Sequence, residues 1–303
     1  MSSIRTTTAQ EWNENLRFAP GVWADFETDK FLMQVPRSWV YNYDYDYIKT
    51  LLEGRDTAMD GVSELSGYNP NTRNNYVLYL QPDLHIRAGS YGVGYPQINE
   101  NIQSGPDGPI SEPVDGKSDH WLVTNPFATH NAICLHELGH CTLLELSIYD
   151  GETEALNNLF YAYVMNVKMG ESLDFSFMKS FNYPLTQFTI DRAAINWMIT
   201  TNFGNEKEMD NSNTEYDEFR YQQRGYAKYA DITRLFGWDV LKDFFRQEHL
   251  NKIDGISTPM GDSDDRTYRL SLKAGVDLTP LIGKLVLFSF LNKHCIIKFI
   301  LIH

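Results

Sequence analysis

The chain has 303 residues, with 26 basic against 40 acidic side chains and a formal net charge of −14. That balance excludes nucleic-acid binding as the main business, because a phosphate backbone needs a basic surface. Hydrophobic residues at 42% and charged residues at 22% are ordinary globular composition and exclude a disordered chain.

Residues 1–18 read as an N-terminal extension; they lack the apolar run of a secretory leader. Residues 19–120 read as strand-rich. Segments 30–36 and 76–81 alternate apolar and polar residues, as half-buried strands do. Between them, 45–65 has helical spacing through Ile48, Leu51 and Leu52. The glycine-containing stretch 85–96 predicts a bent strand or loop, and 99–120, rich in Gly, Pro, Ser and Asp, predicts a long surface loop and a boundary. Residues 121–282 read as a mainly helical part. Asn125 and Pro126 open a helix that runs to about Ser147, and a second helix starts near Glu152 or Thr153. Further helices are expected over 186–201, 214–236, 238–250 and 264–274. The tail 283–303 is apolar but interrupted by Lys284, Lys293 and Lys298, which argues against a transmembrane segment. The fold class expected is therefore α+β.

Cys134 and Cys141 lie about 10 Å apart along one helix, beyond disulfide reach, so no disulfide framework is expected. Aromatic residues make up 14% of the chain and are assigned chiefly to the core.

The chemistry is concentrated at His136-Glu137-Leu138-Gly139-His140. Four residues along a helix turn through about 400°, so both imidazoles face one way, one turn apart. Two ring nitrogens so placed can share one zinc ion. Glu137, beside the first ligand, is then the candidate catalytic base for an attacking water. Flanking Ile133, Leu135, Leu138, Leu143 and Leu144 send the helix into the interior, where unpartnered polar groups would be costly.

A catalytic zinc needs a third protein ligand. Glu145 is five residues past His140, about 140° around the helix, and points away. Glu154 opens the next helix, where an antiparallel hairpin would bring it back to the histidines; Glu152 is the alternative. An acid at either place would also complement the helix dipole. Asn158, one turn after Glu154, is a candidate to steady that carboxylate. A structural zinc clamp normally has four protein ligands, and neither Cys134 nor Cys141 shares the face of the histidines.

The run HELGH, a spacer, and then Gly151, Thr153, Glu154, Asn158 and Phe160 resembles the enhancin and mucin-degrading zinc metallopeptidases. Supporting segments are Ala19-Pro20 with Trp23 and FLMQVP, Glu64 to Tyr68, Gly94-Tyr95-Pro96, Tyr229 to Asp239, Asp264-Asp265-Arg266 and Gly275 to Pro280. They cover about 19–282 in order. The resemblance implies a zincin-like domain of gluzincin type, with one catalytic Zn2+ held by His136, His140 and Glu154. It implies a secreted or extracellular enzyme and a protein or glycoprotein substrate, particularly one bearing mucin-type O-glycans. Metallopeptidase action on bare protein, and a catalytically silent binding or regulatory role, are the alternatives. The family usually continues past the DLTP segment into a Trp-Gly closing stretch, so the tail from Gly283 is expected to be a truncated or misread terminus. Tyr221, Tyr226, Tyr229 and His249 are candidate oxyanion donors, and Tyr91 or Tyr95 candidates to pack on a glycan.

Overall fold

The computed structural model describes residues 2–3, 7–67, 78–83, 90–92, 97–101, 104–105, 108–109, 115–117, 122–123, 132–143, 153–178, 221–253 and 263–286. Among these, a six-stranded mixed sheet has the order β1-β2-β3-β4-β6-β5. Its strands are β1 (Ser2–Ser3), β2 (Trp23–Glu27), β3 (Phe31–Pro36), β4 (Leu78–Asp83), β5 (Ser90–Gly92) and β6 (Gln97–Asn101). The β1–β2, β3–β4 and β4–β6 pairings are parallel; β2–β3 and β5–β6 are antiparallel. In β3 the predicted alternation holds: Phe31, Met33 and Val35 are buried while Leu32 and Gln34 are half-buried. The two-residue strands β7 (Ser104–Gly105) and β8 (Gly108–Pro109) form a small hairpin. The predicted loop 99–120 thus begins inside β6 and contains this hairpin. Side-chain pattern missed them because Asn, Glu, Ser and Gly carry no apolar alternation.

The helices are α1 (Ala9–Glu14), α2 (Tyr45–Leu65), α3 (Ala132–Leu143), α4 (Thr153–Tyr163), α5 (Leu173–Met178), α6 (Tyr221–Phe236), α7 (Asp239–Ile253), α8 (Ser263–Ala274) and α9 (Thr279–Val286). A π-helical turn, Val164–Lys168, extends α4. The expected helix over 186–201 lies outside the described residues, as do the ends expected for α3. The last helix runs through Gly283 to Val286; residues 287–303 lie outside the described residues.

Helix α1 belongs to the packed body. Thr8 caps α1, accepting from the Glu11 amide while the Glu11 carboxylate accepts from the Thr8 amide. Trp12 is buried and its indole N–H donates to the Tyr43 carbonyl at 3.0 Å. Helix α2 starts at Asp44, whose side chain accepts from the Tyr47 amide at 2.9 Å. Its apolar stripe of Ile48, Leu51, Leu52, Ala58, Met59, Val62 and Leu65 is buried. A single cluster of buried residues joins the sheet (Phe26, Phe31, Val35, Leu80) to α4 (Leu156, Leu159, Phe160) and α6 (Tyr229, Ile232). The architecture is α+β, as the alternation of patterns predicted.

Candidate metal centre

Helix α3 is placed by α2. The Tyr47 hydroxyl donates to the Val123 carbonyl at 2.9 Å, and Arg55 donates to the Leu122 carbonyl at 2.9 Å. Both bonds hold the segment that precedes α3. The Arg55 guanidinium also lies 3.6 Å from Cys134 Sγ, inside α3 itself. Burial pushes Arg55 down to about 10, opposed by Cys134, so the guanidinium stays protonated at neutral pH. Cys134 is buried and faces α2, as expected for a residue on the far side of the helix from the histidines.

On the other face, His136 Nε2 and His140 Nε2 converge to 3.2 Å, with their rings at 78°. The ligand atoms of His136, Glu137 and His140 all lie within 4.8 Å of one another. The donor set fits zinc: bonds of about 2.0–2.1 Å to two nitrogens 3.2 Å apart subtend about 100°, close to tetrahedral. His136 is buried, whereas Glu137 and His140 are half-buried, so the Glu137 carboxylate stands within reach of solvent.

The tautomer of His136 is set by α4. His136 Nδ1 lies 2.9 Å from Asn158 Oδ1. An amide oxygen only accepts, so Nδ1 carries the proton and Nε2 keeps its lone pair for a metal. The sequence placed Asn158 behind Glu154; its contact with His136 could not be read from spacing, because it joins residues 22 apart on two helices.

Helices α3 and α4 pack closely. A Cβ on Gly139 would lie 2.6 Å from Asn157 Oδ1 and 2.7 Å from Asn157 Cβ. The two contacts, Gly139 with Asn157 and His136 with Asn158, run in opposite chain directions, as the predicted hairpin requires. Glu154 lies within α4, one turn before Asn158. Its side chain lies outside the described residues, as do Glu152 and Asp150.

Of the candidate oxyanion donors, Tyr229 is fully buried in the core and cannot meet a substrate. The helical period of α6 turns it inward, beside Ala230 and Ile232. The side chains of Tyr221, Tyr226, His249 and Tyr91, and all of Tyr95, lie outside the described residues. Strand β5, which carries Tyr91, packs beside α3. Among the described residues, no helix is long and apolar enough to cross a membrane.

Comparison with solved structures finds the same fold at low identity. A functionally unknown conserved protein from Bacillus anthracis, in a mutant form, matches with a TM-score of 0.66 and 12% identity, over 95% of this chain and 54% of that one. A metallopeptidase from Bacteroides thetaiotaomicron matches with a TM-score of 0.58 and 13% identity, over 96% of this chain and 45% of that one. A metallopeptidase in complex with Tn antigen matches with a TM-score of 0.59 and 14% identity, over 96% of this chain and 50% of that one. The chain therefore spans about half the length of these structures. A search of curated proteins finds no match. The model of the family described as Peptidase M60, enhancin and enhancin-like, matches residues 5–281. With the zincin-like α+β body and the paired imidazoles of α3 already in place, that match, over most of the chain, makes this protein a member of the M60 peptidase family.

Proposed function

We propose that the protein is a zinc-dependent metalloendopeptidase acting on O-glycosylated, mucin-like glycoproteins, in an extracellular setting. The observation that carries this reading is the convergence of His136 Nε2 and His140 Nε2 with the Glu137 carboxylate beside them. Family membership supports peptidase chemistry, and a neighbour that binds Tn antigen supports the substrate class.

His136, His140 and Glu154 would hold the ion. When bound, zinc supplies Lewis acidity at the scissile carbonyl and lowers the pKa of attacking water. Glu137 accepts the proton of that water and returns it to the leaving amine nitrogen. Asn158 keeps the His136 ring turned so that its Nε2 faces His140. Backbone position supports Glu154 as the third ligand of this reading: it is one turn N-terminal to Asn158, on the helix that touches His136.

The test pairs zinc content with hydrolysis of an O-glycosylated mucin fragment and of its deglycosylated form. Wild type should bind one zinc and cut the glycosylated fragment. Glu137→Gln should keep the zinc and lose cleavage by about 10²-fold or more. Equal cleavage of the bare fragment would move the substrate to proteins in general. Zinc binding without cleavage of either would favour a binding role.

A further inference from the structure

Gly139 and Asn157 form a contact that nothing in the proposed chemistry uses. Asn157 is only 1% exposed, and among the described residues its Nδ2 has no hydrogen-bond partner. Its Oδ1, Cβ and Cγ lie 2.6, 2.7 and 2.8 Å from where a Gly139 Cβ would stand. Real Cβ atoms do not approach that closely, so the bare backbone of Gly139 is what admits the amide. An apolar side chain in this seam would avoid the desolvation of an unpaired donor. Stability of the seam is therefore a poor reason for asparagine here.

The location supplies a better one. Gly139 lies between Glu137 and His140 on α3, and Asn157 lies between Glu154 and Asn158 on α4. The contact thus sits among every residue assigned to the ion and its base. Two packed helices with a ligand on each can close on one ion only at one separation, and a site misplaced by a fraction of an ångström loses affinity.

We propose that Asn157 is a positioning residue for the metal centre: pressed against Gly139, it sets the α3–α4 separation at which His136, His140 and Glu154 meet. This rests on the metal-centre reading above. The pair works as a knob and a hole, so its volume is shared between two positions. Enlarging the hole-side residue pushes the helices apart. Truncating the knob lets them settle out of register. Doing both together restores the volume.

The experiment measures zinc affinity by competition with a chromophoric chelator. It uses the full chain as wild type, Gly139→Ala, Asn157→Ala and the double variant, each checked for folding by circular dichroism. Gly139→Ala should weaken zinc binding by about 10- to 100-fold and Asn157→Ala by several-fold. The double variant should bind more tightly than either single one. A contact that only held the fold together would shift unfolding midpoints and leave the zinc affinity of the folded fraction alone. Independent losses that add in the double variant, or unchanged affinity in both single variants, overturn the positioning role while leaving the metal centre intact. A folded wild type that binds no zinc overturns the metal-centre reading and the positioning role with it. If Gly139→Ala alone does not fold, the comparison of Asn157→Ala with the double variant decides: tighter binding by the double variant supports the spacer, and equal or weaker binding overturns it.

Discussion

A histidine can offer a metal only the nitrogen that is not already protonated. At His136 that choice is made by one amide oxygen, Asn158 Oδ1, at 2.9 Å from Nδ1. Replacing Asn158 with alanine frees the ring to turn and to change tautomer, and leaves a buried Nδ1–H without this acceptor. The expected outcome is a loss of zinc affinity of about 10- to 100-fold in a protein that still folds. Chelator competition measures it; unchanged affinity would mean that the ring is held by other groups. Neighbouring Asn157 shows how far sequence reading reaches at this scale. Two consecutive asparagines look alike on paper. One holds the His136 ring, the other fills a gap against glycine, and only the meeting of α3 and α4 separates their places.

Helix α2 shows the same division at the scale of an element. Its limits, 45–65, are legible from the helical spacing of Ile48, Leu51 and Leu52, and the structure adds an Asp44 cap at its start. Its duty is not legible. Arg55 lies in the buried stripe, and its bonds to Leu122 and Cys134 join the helix to the entry and body of α3. Gly67, just past its end, has φ +84°, and a Cβ there would stand 2.4 Å from Arg246 Cα of α7. Gly67→Ala should therefore combine left-handed backbone strain with a backbone collision. We expect a destabilisation of about 2 kcal/mol or more, read as a lower urea midpoint. A loss below about 0.5 kcal/mol would mean that α2 and α7 separate freely. Helix α1 is tied to the approach of α2: Trp12 packs into the shared core and donates to Tyr43, just ahead of the helix.

For the molecule as a whole, the proposed metal ligands come from two helices that share one core with the sheet. An ion that binds only the folded arrangement stabilises it by mass action, by about 2.7 kcal/mol at a hundredfold excess over Kd. Chelation should then lower the melting temperature by about 4 °C for a chain of this size. Restoring zinc should reverse the shift, and scanning fluorimetry with and without chelator reads it. A melting temperature indifferent to chelator would separate metal binding from folding. The acidic net charge of −14 plays no part in this ledger; it concerns solubility and partners.

Sequence alone determined the features that depend on short-range periodicity. The strand read over 30–36, the helix over 45–65 and the start of α4 follow from local alternation and helical spacing. The pairing of His136 with His140 follows from the pitch of one helix. What lies within one turn of a helix can be read from the chain because backbone geometry is the same in every protein. Tertiary structure decided what depends on two segments meeting: the contact of Asn158 with His136, the hole at Gly139, the inward turn of Tyr229 and the anchoring of α3 by Arg55. These are set by packing distance between elements far apart in the chain, and no local pattern encodes that distance.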